Sequence, residues 1–231
     1  MNTPDNAPDR QYRVDFATVR ADWPLFLLLA IDFGYGLVSL PMMPAEVPTH
    51  WGLSGAPDQY GPAWVNALVL PAIGLLLYLS LLALPLIDPL RRNYALFTDT
   101  LRFVRWLLVL FAIGLHVVVV RVSLDHAIEV DFAVRLGVAL LIVALGNRMG
   151  TMRRNFFIGI RVPWTLSSEE VWNRTHRMAG RLWVVGGIGL VAAAFLPAKL
   201  GMTVFTTLIV ILVAVPVLYS WRLYRRIANG A

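Results

Sequence analysis

The hydrophobic residues of this chain occur in long runs separated by shorter polar segments. A helix needs about 20 predominantly apolar residues to cross the hydrocarbon core of a bilayer, and six runs reach or approach that length. These runs are Trp23–Met43, Trp64–Ile87, Phe103–Val122, Phe132–Asn147, Trp183–Ala198 and Met202–Trp221. None shows the alternation of polar and apolar residues that marks a barrel strand. The pattern predicts an all-α fold, a polytopic transmembrane helical bundle with six spans.

Tryptophan positions support these boundaries. Trp23, Trp64, Trp106, Trp183 and Trp221 lie in the first or last turn of a predicted span, where indole rings prefer the headgroup level. The first apolar run is longer than the core of a signal peptide, so it is predicted to stay in the protein as the first span. The fourth and fifth predicted spans are shorter than the others.

The composition is typical of a membrane protein, and the distribution of basic residues predicts its orientation in the membrane. The chain has 231 residues, of which 58% are hydrophobic and 15% charged, and its mean hydropathy is +0.67. These values exclude a typical water-soluble enzyme and a disordered chain. All of the 20 basic residues except Arg121, Arg135 and Lys199 lie on one predicted side. By the positive-inside rule both termini are cytoplasmic, and the net charge of +6 does not indicate nucleic-acid binding.

The spans and charges divide the chain into three parts. Residues 1–22 form a cytoplasmic N-terminal tail. Residues 23–122 form an N-terminal three-span region with an external loop rich in proline and glycine at 44–63. Residues 123–231 form a second three-span region with a cytoplasmic motif loop at 148–182. Lipid is the expected surrounding partner, and the sequence does not indicate an oligomeric state.

The external loop carries several polar and aromatic side chains. Its prolines and glycines predict a chain of turns. His50, Trp51, Asp58 and Tyr60 are candidates for binding a ligand outside the cell. The alternative, which we favour from the residues alone, is a structural cap over the helix ends.

The motif loop has its own start signals for a helix. Val162 precedes Pro163 and is expected to be extended. Ser167 begins a capping-box pattern with Glu170, which predicts a short helix from about Ser168. One interpretation is an interfacial helix that lies on anionic lipid. The other is a docking site for a cytoplasmic partner, because the loop is much longer than a connection requires.

Two ionisable residues lie deep inside predicted spans. Asp32 lies about 13 Å into the first span, near the middle of the membrane. His116 lies about 20 Å from the same face in the third span, so helix tilt must bring the two residues to one level if they pair. An unpaired carboxylate there is costly, so Asp32 is expected to be protonated or partnered, with His116 as the candidate partner. A structural contact is favoured over a proton relay. The four histidines lie in separate segments, so neither a metal nor a cofactor is expected, and no catalytic residue is indicated.

The motif loop resembles the signature of the Sdp-type immunity protein family of bacterial membrane proteins. The resemblance covers roughly residues 137–215, and Val162 departs from it where the family more often has threonine. The external loop resembles an uncharacterised domain that often precedes this family, through Pro44, the stretch 47–51, Gly55, the pair 57–58 and Gly61. The matching motif residues are Gly146, Asn147, Asn155, Gly159, Ile160, Arg161, Pro163, Trp164, Thr165, Leu166, Glu169 or Glu170, Trp172, Thr175, His176, Arg177 and Gly180.

The resemblance implies a non-enzymatic immunity and sensor protein of the bacterial inner membrane. Such a protein gives resistance to a membrane-active toxic peptide outside the cell and recruits a cytoplasmic repressor. The residues expected to bind partners on the cytoplasmic side are Asn155, Arg161, Pro163, Trp164, Trp172, His176 and Arg177. A small proton-coupled transporter that uses Asp32 and His116 is the alternative. An intramembrane enzyme ranks third, because no nucleophile and base are recognisable.

Overall fold

The computed structural model of the protein describes residues 12–52 and 55–229. Residues 1–11 of the predicted tail, and Leu53 and Ser54 of the predicted external loop, lie outside the described residues. Six helices of the described part are long and apolar enough to cross a membrane, which confirms the predicted fold class. The elements are α1 (Phe16–Ala21), α2 (Trp23–Ser39), a 3₁₀ turn (Leu40–Met42), β1 (Glu46–Trp51), β2 (Pro57–Pro62), α3 (Ala63–Ile87), α4 (Arg91–Tyr94), α5 (Thr98–Ser123), α6 (Val130–Met149), α7 (Pro163–Ser167), α8 (Glu169–Ala194) and α9 (Ala198–Ala228).

The spanning helices begin near the predicted positions and several extend further. α2 begins at Trp23 with Pro24 in its first turn, where the missing N–H of proline costs nothing. α6 has 20 residues, so the fourth span is long enough to cross the membrane. α5 and α9 extend beyond the predicted ends because their terminal turns contain polar residues that hydropathy alone does not count as membrane-spanning.

The fifth span differs most from the expectation. The sequence predicts a short helix near residue 168 and a separate span from Trp183, but α8 is one helix of 26 residues. Its N-cap is Ser168, not Ser167, and the Ser168 Oγ accepts a hydrogen bond from the Val171 N–H at 3.3 Å. No proline interrupts the segment, so the helix continues from the polar part into the apolar part.

The six spans pack in two groups of three. α2, α3 and α5 pack together, α6, α8 and α9 pack together, and α5 and α6 join the groups. α6 and α8 approach each other closely, and a Cβ on Gly180 would lie 2.8 Å from the Gly146 carbonyl oxygen. Small residues permit this contact between helix backbones. The division into independent regions at 23–122 and 123–231 stays a prediction.

A β-hairpin replaces much of the predicted chain of turns. β1 and β2 pair antiparallel from Glu46 opposite Pro62 to Trp51 opposite Pro57, with irregular register after Pro48. Both strands of a two-stranded sheet are edge strands, so they tolerate prolines that the interior of a sheet would exclude. Asn66 fixes the hairpin to the bundle, because its side-chain amide donates to the Pro48 carbonyl at 2.7 Å.

The connections define two ends of the bundle. The hairpin side carries the β-hairpin and the connections at 124–129 and 195–197, whereas the loop side carries the connections at 88–97 and 150–168. An even number of spans brings both described chain ends to the loop side. These two names are kept below.

Candidate functional site

The predicted motif loop is shorter in the structure, because α6 continues to Met149 and α8 begins at Glu169, and the remaining residues 150–168 are folded around the side chain of Asn155. Its amide oxygen accepts hydrogen bonds from the Phe157 and Ile158 N–H groups at 2.9 and 2.7 Å. Its amide nitrogen donates to the carbonyls of Arg153 and Ile158. Asn155 is fully buried. Its side chain provides hydrogen-bond partners for backbone groups of the loop, which in a helix or strand would pair with other backbone groups. It therefore shapes the loop and is not accessible to a partner.

Asp88 and Tyr94 connect this loop to the segment after α3. The Tyr94 hydroxyl donates to Asp88 at 2.7 Å, and the Phe156 N–H donates to the same carboxylate oxygen at 2.8 Å. Burial, together with the hydrogen bond to Asp88, raises the pKa of Tyr94 above its usual value. The hydroxyl consequently keeps its proton and the contact.

His176 holds the second part of the motif loop from α8. Its Nε2 accepts a hydrogen bond from the Ile160 N–H at 3.0 Å, and its Nδ1 lies 2.9 Å from the Trp172 carbonyl. A neutral ring with its proton on Nδ1 satisfies both contacts. The ring stacks on Trp172 with centroids 4.0 Å apart, and the Trp172 indole donates to the Met152 carbonyl at 2.9 Å. Both side chains are fully buried.

Burial of Trp172 removes one earlier interpretation. An interfacial helix would place Val171, Trp172 and Thr175 against lipid, but all three are buried inside the protein. The motif loop and the first turns of α8 pack on each other, so this apolar face is already covered. The exposed face of α8 carries Arg174 and Arg177 instead.

The rest of the motif is held by α7 and α9. Pro163 begins α7, and the Trp164 indole donates to the Ser220 hydroxyl on α9 at 2.6 Å. Arg161 is exposed, and its Nη1 donates to the Phe156 carbonyl at 2.8 Å. Of the predicted cytoplasmic partner residues, Arg161, Pro163 and Arg177 remain exposed on the loop side, whereas the others mainly maintain the loop.

On the hairpin side, the four predicted ligand residues separate into a pair and two single side chains. His50 Nδ1 lies 2.6 Å from Asp58 Oδ1, and both side chains are about half exposed. Tyr60 is exposed on β2. Trp51 instead lines a cleft of about 700 Å³ between the hairpin and the adjoining helix connections.

That cleft combines aromatic and charged side chains. Phe132 and Phe195 meet edge to face in its wall, with ring centroids 5.3 Å apart. Asp131 and Arg135 form an ion pair at 2.8 Å in the same wall, and Arg135 is only 5% exposed. A concave surface with apolar walls and a few fixed charges suits ligand binding. The sequence placed Arg135 near a span end but did not connect it to Trp51.

Asp32 and His116 meet inside the bundle. His116 Nδ1 lies 2.6 Å from Asp32 Oδ1, and both residues are buried between α2 and α5. The other polar atom of each, Asp32 Oδ2 and His116 Nε2, is buried without a protein partner. The structure thus brings together the two residues that were expected to pair.

The sequence interpretation missed a buried charge cluster at Asp22. This carboxylate is fully buried and accepts from Arg102 Nε at 2.9 Å, Arg105 Nη2 at 2.5 Å and the Trp106 indole at 2.7 Å. We had counted Arg102 and Arg105 only as charges that orient the chain. The useful signal was an aspartate directly before a span together with two arginines and a tryptophan on one helix face.

Two stretches of the chain match known family models. Residues 151–220 match the SdpI/YfhL protein family, and residues 27–75 match Domain of unknown function (DUF1648). The chain is also 24% identical over 205 residues to the immunity protein SdpI of Bacillus subtilis (strain 168), which covers 89% of this chain and 96% of that relative. No solved structure matches the chain.

The first matched stretch begins in the motif loop and ends in α9, and the second begins within α2, contains the hairpin and ends within α3. The resemblance stated from the motif residues is confirmed. The protein is a multi-pass bacterial membrane protein that resembles the SdpI/YfhL family over residues 151–220 and matches DUF1648 over residues 27–75.

Proposed function

We propose that this protein is a non-enzymatic immunity protein that binds a membrane-active toxic peptide on its hairpin side. The cleft beside the hairpin carries the proposal, because it is the concave surface that joins Trp51 of the predicted external loop to aromatic and charged groups of the helix ends. Similarity to the immunity protein SdpI supports the same function. A binding cleft needs no nucleophile or base, and the motifs suggest neither.

The proposed orientation places the hairpin side outside the cytoplasmic membrane. Basic residues concentrate at the loop side, and cytoplasmic loops carry an excess of arginine and lysine. On the hairpin side, carboxylates outnumber the three basic residues. These carboxylates are Glu46, Asp58, Asp125, Glu129 and Asp131.

A protection assay tests the outer cleft. We expect Trp51→Ala to reduce survival of a peptide-sensitive host when candidate toxic peptides are added, because a tryptophan is lost from the cleft wall. Tyr60→Ala is the matched control, since Tyr60 is an exposed aromatic residue of the same hairpin that does not line the cleft. Survival is compared at equal protein levels in the membrane. Equal protection by the two variants contradicts the assignment of the cleft.

We further propose that the exposed part of the motif loop recruits a cytoplasmic repressor. Arg161 donates through its planar guanidinium to the Phe156 carbonyl, a geometry that lysine does not reproduce. We expect Arg161→Lys to reduce recruitment of the repressor, measured by its membrane localisation, whereas Arg153→Lys keeps it. If attraction to anionic lipid alone mattered, both lysine variants would behave alike, because each retains its charge.

The Asp32–His116 pair supports a second candidate function, a small proton-coupled transporter. Ionisable pairs inside membrane helices often belong to proton pathways, and this pair has two buried polar atoms without a protein partner. The test is substrate uptake into vesicles driven by a proton gradient. Uptake that disappears with Asp32→Asn supports transport through the pair, whereas equal uptake by both proteins contradicts a role of the pair and absence of uptake by the wild type contradicts transport.

A further inference from the structure

Another cavity lies beneath the motif loop, on the opposite side of the membrane from the hairpin cleft. It has a volume of about 470 Å³, within the range of about 300–1,000 Å³ typical of ligand pockets. Leu81 of α3, Leu108 of α5 and Val213 of α9 form part of its walls, and residues 157–162 form its roof. The walls are almost entirely apolar, so water is a poor occupant.

The cavity opens sideways toward the bilayer. α3 and α9 belong to different three-helix groups and make few or no contacts with each other, although residues of both line the cavity. Val213 of α9 lines the cavity and is also 56% exposed, so the cavity reaches the outer surface of the bundle at this residue. Most of the lining lies in the half of the bundle nearest the loop side, and Trp183, Leu212 and Val213 lie near the middle of their helices. A molecule in that leaflet therefore reaches the cavity without leaving the hydrocarbon region.

The roof of the cavity carries a guanidinium group, that of Arg161. Arg161 lines the cavity, is exposed, and forms no ion pair within the described part of the chain. Its one hydrogen bond uses Nη1, which leaves Nη2 and Nε as donors. Arginine presents these donors in a planar fork that matches a phosphate.

We propose that the cavity binds one anionic phospholipid from the loop-side leaflet, with an acyl chain between α3 and α9 and the phosphate on Arg161. Transfer of a chain from lipid to protein brings no hydrophobic gain, because lipid tails are as apolar as leucine. The favourable contributions are contacts that fill the void and the charged hydrogen bonds at the phosphate. A peptide that arrives from the hairpin side would have to cross the membrane to reach this opening.

The lipid would support the motif loop from below. The roof residues include Gly159 and Ile160, which His176 holds from the other side. A filled cavity therefore keeps the underside of the loop packed, and an empty one leaves it without contacts. Lipid occupancy thus links the state of the inner leaflet to the surface that carries Arg161.

Native mass spectrometry of the purified full-length protein tests the occupant. We expect the wild type to retain one phospholipid after mild delipidation, and Val213→Trp to retain about tenfold less because the indole fills the mouth. Val210→Trp is the matched control, since Val210 is a valine on the same helix with 59% exposure that does not line the cavity. Equal retention by the two tryptophan variants overturns the proposal.

A second measurement tests the headgroup and does not depend on the tryptophan variants. We expect phosphatidylglycerol to raise the thermal unfolding midpoint of the wild type more than phosphatidylcholine does, and Arg161→Gln to remove that difference. Arg153→Gln should keep it. Inorganic phosphate alone should give no shift, because it lacks the chain. Equal shifts with both lipids in the wild type, or an unchanged preference in Arg161→Gln, overturn the role of Arg161.

Discussion

Most of the buried motif residues act on the fold of the loop itself. Asn155 and His176 satisfy backbone N–H groups of the motif loop that have no partner in a helix or strand. A buried backbone group without a partner costs about as much free energy as a lost hydrogen bond. These two side chains therefore stabilise the observed conformation of the loop. The surface that a partner meets is formed by their neighbours, among them Arg161 and Arg177.

Gly159 is the residue where this geometry is tightest. Its φ is +109°, a conformation that favours glycine, and a Cβ would lie 2.5 Å from His176 Nε2. We expect Gly159→Ala to destabilise the protein by about 1–3 kcal/mol, the usual cost of a strained backbone position. The measurement is the thermal unfolding midpoint of the purified protein in detergent.

Gly114→Ala provides the comparison for that variant. Gly114 lies within α5, and a Cβ there meets nothing within 4 Å. Alanine is favoured over glycine in a helix by roughly 0.5–1 kcal/mol, so this substitution should leave the midpoint unchanged or raise it. A midpoint for Gly159→Ala equal to that of Gly114→Ala would show that the contact with His176 does not constrain the loop.

At the scale of elements, the sequence predicted which segments span the membrane, but it did not predict that a spanning helix such as α8 continues into a polar segment. A bilayer imposes both apolar character and length, so the six runs identified the spanning helices directly. Hydropathy carries no information about the polar first half of α8, where Ser168 and Glu169 begin a helix that continues to Ala194. The hairpin was missed because its prolines indicate turns, although an edge strand tolerates them.

For the candidate sites too, the sequence predicted some features, whereas others depend on how distant elements pack together. The resemblance identified Asn155, His176 and Trp172, but their burial depends on how α8 packs against the motif loop. The Asp32–His116 pair could be suggested from depth in the membrane, because few ionisable groups lie there. The outer cleft could not, since Trp51 and Arg135 come from distant elements that meet only in the folded bundle.

The contact between α2 and α5 leads to a prediction about the buried pair. Removal of one partner leaves a buried polar or charged group uncompensated, which costs more than replacement of both. We therefore expect Asp32→Leu to lower the thermal unfolding midpoint more than the double variant Asp32→Leu with His116→Leu. The single variant His116→Leu completes the cycle.

The double variant decides whether the contact is energetically coupled. Asp32 and His116 are each at most 3% exposed, so neither can recover hydration when its partner is lost. If the double variant is destabilised by the sum of the two single effects, the residues do not stabilise each other. That result would show that the hydrogen bond between Asp32 and His116 makes no measurable contribution to the stability of the protein.

For the whole molecule, charge and shape divide along the membrane normal. The loop side combines most of the arginines with the motif loop, whereas the hairpin side combines a carboxylate excess with the Trp51 cleft. The proposed lipid cavity and the proposed peptide cleft therefore face different leaflets. Because its two ends differ in charge and in the cavities they carry, the bundle can bind different molecules on the two sides of the membrane. Which end is outside follows from the orientation that the charges indicate.

That orientation leads to a prediction that can be tested in intact cells. The natural chain has no cysteine, so single cysteines can be introduced without a background. Ala127 on the hairpin side and Ser167 on the loop side are both exposed. We expect Ala127→Cys to react with a membrane-impermeant thiol reagent in whole cells. Ser167→Cys should react only after the membrane is permeabilised, since positive-inside placement keeps the arginine-rich end in the cytoplasm. The reverse labelling pattern would contradict the orientation and, with it, the assignment of the cleft to an extracellular peptide.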